Sequence, residues 1–500
     1  MIRKPASVAD VAAVDGVGTP RVIAYIMTGV APLTVSAGVV PEAFAVTGLT
    51  GIPFAFLACA VVLGIFTFGY VAMARHVPHT GAFYAYIARS LGRVAGTAAG
   101  TVAFVAYNFL MVGLYGAFGP TARDTMAGSR LHWHIPWAVY ALVAWLVVAV
   151  LGLQRLRRIT VVLGVLLAGE LVMNIALAVN GVIHHAPGPV SLQPLSPHVL
   201  LTGGIGVLAV LGTLGFVGFE AGAVLSEQAK TSRTITRATF IVLGVMGCVY
   251  ALSAFALVAA NGSTQVVGNA QRLGPGLFFA LAGASRFLAA ASQGLFLSSL
   301  FAAMVSFHVT ANRYAYAAGR EGVLFGWLAR TNRRCTPYAA SLTQSGIGLG
   351  VILLYWWAGW DPLTKLFFWL GTSGGFGVLC LLFVTSVAVV VYFRRHRVSG
   401  ESRWSTTVAP TVAVLLLGAM VVLAVVQYPT LIGETGWDAP AVLLPLIFAV
   451  AALIGAGWGL FLRKAAPETY AGIGVVPTVA SAASTGFRLA RPAMADGGAA

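Results

Sequence analysis

GGIGVLAVLGTLGFVGFEAG, Gly203 to Gly222, is apolar enough to cross a bilayer, yet Gly203, Gly204, Gly206, Gly212, Gly215, Gly218 and Gly222 make it a poor continuous helix. A second apolar run, residues 22–46, has the same fault at Gly29, Pro32, Gly38 and Pro41. Unwound backbone at membrane depth survives only where it is buried in protein or lines a cavity, because its N–H and C=O groups otherwise go unsatisfied. Counted along the chain, the two runs are the first members of two five-helix halves. Interruptions at corresponding positions of two halves are the pattern of an inverted-repeat transporter with a site at the midplane. Close helix packing on small residues is the alternative account of any one of these glycines. A half-helix N-terminus offers N–H groups to a carboxylate, and the opposing carbonyl ends accept from an ammonium, so an amino acid or amine suits such a site.

The rest of the chain agrees. Its 500 residues are 59% hydrophobic and 9% charged, with a mean hydropathy of +0.89, against about 25% charged in a soluble domain. Apolar runs fall at 22–46, 52–74, 94–118, 135–153, 159–180, 199–226, 238–259, 286–312, 338–358, 364–393, 407–427 and 440–462, which predicts twelve transmembrane helices in an all-α polytopic fold. If the N-terminus is cytoplasmic, alternate connections place 25 of the 30 Lys and Arg inside and leave only Arg123, Arg130, Arg272, Arg286 and Lys365 outside. Cytoplasmic loops are the ones enriched in these residues, so both termini are expected in the cytoplasm of a multi-pass cell-membrane protein. The net charge of +16 is therefore a topology signal and not a nucleic-acid surface. Cys59, Cys248, Cys335 and Cys380 have no C-x-x-C spacing, so neither a disulfide nor a metal site is expected. Residues 1–21 read as a polar N-terminal segment, and the first span is too long and too broken for a cleaved signal. Residues 465–500 read as a disordered tail. Within 261–285 the stretch beginning PGLFFALAG predicts a short helix at the outer surface, placed to act as a lid.

Three further segments carry a resemblance. RHVPHTGAFYAYIARSLGR (Arg75–Arg93) follows the second span, GFVGFEAGAVLSEQAKTSRTITRA (Gly215–Ala238) covers the break in the sixth, and NRYAYAAGREGVLFGWLARTNRRCTPYAA (Asn312–Ala340) follows the eighth. Together they resemble the amino acid, polyamine and organocation permease superfamily over roughly residues 20–460. The resemblance implies the leucine-transporter type of fold: a 5+5 inverted repeat made by residues 22–180 and 199–393, with two peripheral helices over 407–462. The chain departs from the superfamily pattern at Ser232, Thr236 and Phe325, and its first-span break reads APLTVSAG, Ala31–Gly38, instead of a glycine-dense Gly-Ser-Gly.

Candidate site residues cluster at the breaks. Thr34, Ser36, Ala37 and Gly38 in the first span, Asn108 in the third, Gly215, Phe216, Gly218 and Phe219 in the sixth, and Trp369 and Thr372 in the tenth are the expected substrate contacts, offering hydroxyls, backbone and aromatic walls. Glu42, Glu170 and Glu220 are the acidic residues within spans, where each is costly and needs a reason. Glu220 opens the second half of the sixth span, where the helix dipole favours its charge and a gating role is expected. Glu42, just after Pro41, either is a solvated vestibule residue or attracts a cation from outside. Glu170 lies twelve residues into its span from Arg158, about 18 Å at roughly 1.5 Å per residue, near mid-bilayer with no sequence-local cation. Desolvation disfavours a lone carboxylate there, so Glu170 is the candidate for proton coupling, with a permanently neutral structural acid as the alternative. Ser298 and Ser299 raise sodium as a lesser option. His132, His134, His184 and His185 lack partners at metal-ligand spacing. No P-loop, G-x-S-x-G or H-E-x-x-H occurs, so neither ATP-driven transport nor the common hydrolase chemistries are supported. The expectation is a cofactor-free, proton-coupled secondary transporter of a small amino acid or amine. An antiporter of the same fold, a non-transporting sensor and a membrane-embedded enzyme remain the other readings.

Overall fold

The computed structural model describes residues 17–127, 135–154, 156–198, 204–332, 336–396, 398 and 400–475. His132, His134, Cys335, Gly203 and the tail beyond Val475 lie outside these residues. The described chain is helical, with a lone β-bridge between Val17 and Ala229. Its apolar runs form α1 (Thr19–Thr47), α2 (Ile52–His76), α3 (Arg93–Ala127), α4 (Trp137–Gly152), α5 (Leu156–Ile183), α6 (Ile205–Phe216 and Phe219–Gln228), α7 (Ser232–Asn261), α8 (Arg286–Arg320), α9 (Tyr338–Trp357), α10 (Pro362–Arg395), α11 (Trp404–Val426) and α12 (Ala439–Ala465). Ten are long and apolar enough to cross a bilayer, and the bent pair in α6 makes an eleventh. The 16-residue α4 is shorter than the roughly 20 residues a span needs.

Burial separates centre from rim. In α1 89% of the apolar window is buried inside the protein, whereas in α5, α11 and α12 the shares are 33%, 33% and 28%, so those three helices expose most of their apolar surface. The 35-residue α3 threads the bundle and packs against α4, α8, α10 and α12. Small residues let these backbones meet: a Cβ at Gly116 would come within 2.5 Å of the Pro362 carbonyl oxygen, and one at Gly374 within 2.9 Å of that of Ala106.

Both expected breaks are present. In α1 the helix stops at Ala31, whose φ of +47° is left-handed; Pro32 disfavours the α conformation in the residue before it and brings no N–H. The helix resumes at Pro32 and widens into a π turn over Val35–Val39, with the Val40 N–H reaching back five residues to Val35. In α6 Val217 is extended and Gly218 has φ +111°, which bends the two parts by 45°. A Cβ on Gly218 would lie 2.8 Å from the Gly29 carbonyl carbon, so the two breaks abut through backbone.

Three connections are structured beyond expectation. After α2 the chain turns at Ala82, φ +29°, into the buried helix Phe83–Leu91. Between α7 and α8 the expected short helix is Gly276–Phe279, preceded by Val266–Leu273; Leu277 and Phe278 are buried, packed towards the π turn of α1. The expected disorder from residue 465 gives way, up to Val475, to the helix Pro467–Gly472 and a buried Ile473. Apolar contact and a hydrogen bond from the Gly474 N–H to Glu321 (2.8 Å) hold that segment to the bundle.

Candidate functional site

A cavity of about 360 Å³ runs from the paired breaks towards the end of the bundle that carries Pro275, Leu363 and Gly433. Gly29, Val30, Ala31, Thr34 and Val35 of α1 and Val217 of α6 line its deep part. Leu110 and Leu114 of α3, Leu211 and Leu214 of α6 and Phe307 of α8 form apolar walls, and Phe367, Phe368, Trp369 and Thr372 of α10 close another side. Glu42 and Glu434 are the only ionisable side chains in the lining, and neither carboxylate has a hydrogen-bond or ion-pair partner among the described residues.

Behind the α1 break lies a buried polar cluster. Glu170, 1% exposed, is buried beside the Ser299 hydroxyl and the Leu33 amide. Ser299 accepts from the Thr34 N–H (3.1 Å) and hydroxyl (3.0 Å), so cavity-lining Thr34 is tied to the side chain that neighbours Glu170. One turn along α5, the Asn174 amide donates to Ser36 Oγ (2.8 Å) and the Pro32 carbonyl (3.2 Å), and its oxygen accepts from Ser253 (2.6 Å). The Tyr250 hydroxyl donates to the Val30 carbonyl (3.0 Å). Carbonyls and amides freed by the break are thereby satisfied by α5, α7 and α8, which is what makes unwound backbone tolerable at this depth. Of the serine pair in α8 only Ser299 joins; Ser298 donates back to Leu295 (2.8 Å).

On the other side of the breaks the passage is filled. The Glu220 carboxylate accepts from the Tyr107 hydroxyl (2.5 Å) and the Gly218 N–H (3.0 Å), capping the second part of α6 where helix amides favour an anion. The Tyr70 hydroxyl donates to the Glu220 carbonyl (2.9 Å), Tyr107 stacks on Tyr314 at 5.5 Å, and Tyr25 and Thr310 share a hydrogen bond of 3.1 Å. These groups join α1, α2, α3, α6 and α8 into a plug beneath the cavity.

Of the substrate contacts expected from sequence, Thr34, Gly38, Trp369 and Thr372 line the cavity, and so does Glu42. The others turn elsewhere. Ser36 faces Asn174 and Ser253, and Ala37 is fully buried off the cavity. Asn108 accepts from Gln344 of α9 (2.7 Å) and donates to Phe104. Gly215 meets Phe56 and Val35, Phe216 packs on Phe56 and Tyr250, Gly218 abuts Gly29 and Phe219 packs on Phe66. Leu110, Phe307, Phe367 and Glu434 are cavity residues that sequence reasoning missed; each sits on an apolar helix or in a loop without a marker of facing. Among the described residues no group of three or more His, Cys, Asp or Glu could hold a metal ion. His184 and His185 each engage a neighbouring backbone carbonyl through Nδ1.

No curated protein matches the chain. A family model described as amino acid permease matches residues 17–452, which include both breaks, the cavity walls and the plug.

Proposed function

The chain belongs to the amino acid permease family, and on that premise we propose that it moves an amino acid or related amine across the cell membrane as a proton-coupled secondary active transporter. In this reading α1–α12 are twelve spans, α1–α5 and α6–α10 are inverted halves, and both termini are cytoplasmic, as the 25 of 30 basic residues on one side favour. The cavity then opens outward and the tyrosine plug closes the inner side.

The observation that carries the proposal is a cavity ending on two abutting helix breaks, one of them hydrogen-bonded through Thr34 to Ser299, beside which Glu170 is buried. Substrate in the cavity touches the same α1 segment that Glu170 is buried against. A charged Glu170 attracts the neighbouring Leu33 amide and Ser299 hydroxyl, whereas a protonated Glu170 gives up part of that attraction and loosens α1 from α5 and α8. Substrate and proton thus bias one bistable element, which is the physical content of coupling. Plug opening, with release of Tyr107 from Glu220, exposes the site to the other side.

The test is uptake into proteoliposomes under an imposed inward-acid pH gradient. The wild type concentrates substrate, and Glu170→Gln, which is neutral at all pH values, loses that accumulation while retaining substrate exchange. A Gln variant that still accumulates substrate under the gradient removes Glu170 from coupling.

A further inference from the structure

We infer that the cavity takes a primary amine that lacks a carboxylate, and discriminates against the α-amino acid of the same side chain. The inference deepens the transport reading and rests on it. A broken helix recognises a carboxylate with the free amides at the start of its second half. Here most of those amides are committed within the protein. In α1, Pro32 has no N–H, that of Thr34 goes to Ser299 and that of Val35 to the Ala31 carbonyl, while that of Leu33 lies beside buried Glu170. In α6 the Gly218 amide donates to both oxygens of the Glu220 carboxylate (3.2 and 3.0 Å). At each break one of the protein's own acids lies where a substrate's acid would be received.

The cavity supplies no charged replacement. Its lining contains no Lys, Arg or His, the Thr34 hydroxyl is committed to Ser299, and Thr364 and Thr372 offer only neutral hydroxyls. Trp369 Nε1 is shut away from the open space and so is not offered to a ligand. An entering carboxylate would lose its hydration without charged donors and would face the carboxylates of Glu42 and Glu434. An ammonium meets the opposite situation: two unpartnered carboxylates at the mouth and the aromatic rings of Phe307, Phe367 and Phe368 further in, the Trp369 ring being already approached by Lys365 Nζ at 5.9 Å, an arrangement that favours a cation with an apolar body. The lining places polarity at one end and hydrocarbon along the sides, so the substrate class is an apolar or aromatic monoamine.

Competition for binding to the purified, full-length protein tests this with matched trios: phenylethylamine, phenylalanine and phenylalanine methyl ester, then isopentylamine, leucine and leucine methyl ester. The amine is expected to bind at least tenfold more tightly than the free amino acid. The ester, which keeps the bulk and removes the negative charge, is expected to follow the amine. Glu42→Gln and Glu434→Gln, each checked for monodispersity, should weaken amine binding and narrow the gap; either one alone suffices if the other does not fold. A free amino acid that binds as tightly as its amine, or an ester that binds no better than the acid, overturns the inference and leaves amino acid transport standing. Saturable binding of no member of either trio overturns the transport reading with it.

Discussion

Gly218 shows how much one residue carries. Its φ of +111° and the 2.8 Å that a Cβ would leave to Gly29 mean that even Ala must shift backbone in both breaks. Gly218→Ala is expected to cost about 1–3 kcal/mol and to abolish uptake. Gly244→Ala on α7, where a Cβ meets nothing, should be neutral or slightly stabilising. Equal thermal shifts for the two variants would contradict the close approach. Glu401 is a second case, outside the spans. Burial alone pushes its carboxyl up, but two hydrogen bonds from Arg75 (2.8 and 2.7 Å) and His76 at 3.3 Å hold it below the ordinary carboxylate range. A lowered folded value means that the pairing stabilises the protein above the unfolded carboxyl value, near 4.3, and is lost as pH falls through the folded value. Glu401→Gln should therefore unfold about 1 kcal/mol more easily at pH 7, discounted for partial exposure, and the difference should disappear as pH falls through the folded value. A difference that stays constant with pH would point to packing instead.

Among the elements, the breaks in α1 and α6 were legible in sequence because Gly and Pro act through local backbone energetics, which needs no partner. Facing was not legible. The π turn over Val35–Val39 changes the angular register of its residues, so Ser36 and Ala37 turn from the cavity while Gly38 stays on it. Glu170 was identifiable as buried, but its proximity to Ser299, 129 positions along the chain, arises only when α5, α1 and α8 pack. The segment after α12 was misread because its composition resembles a linker. Its hold comes from tertiary contacts: Ile473 is buried, the Arg93 guanidinium donates to the Ala471 carbonyl (2.8 Å), and Gly474 reaches Glu321. Glu321 also accepts from Tyr84 (2.6 Å) and lies 2.6 Å from His79 Nε2, so the segment, the Phe83–Leu91 helix and the end of α8 meet on one carboxylate. Ile473→Ala is expected to cost about 2 kcal/mol, read by thermal unfolding in detergent, whereas Val475→Ala, on a more exposed side chain, should stay within about 0.5 kcal/mol. Equal effects would detach the segment from the folded unit.

At the scale of the molecule, the proposed topology makes the cavity outward and the plug inward. Reporters fused after Arg158 and Lys464 should read cytoplasm and one after His185 the outside; a cytoplasmic signal at His185 would break the alternation behind the twelve-span reading. The central claim is that one cavity is open to one side at a time. It is tested most directly by thiol accessibility from each face of a sealed membrane, in a background with Cys59, Cys248, Cys335 and Cys380 replaced. Thr372→Cys lines the cavity and Tyr25→Cys lies in the plug. Without substrate, a membrane-impermeant thiol reagent should modify Thr372→Cys from outside and leave Tyr25→Cys unmodified from inside. Inward-facing conditions, with substrate and protons supplied outside, should slow the first reaction and start the second. Simultaneous rapid modification of Thr372→Cys from both faces, or rates that substrate and pH leave unchanged, would contradict alternating access.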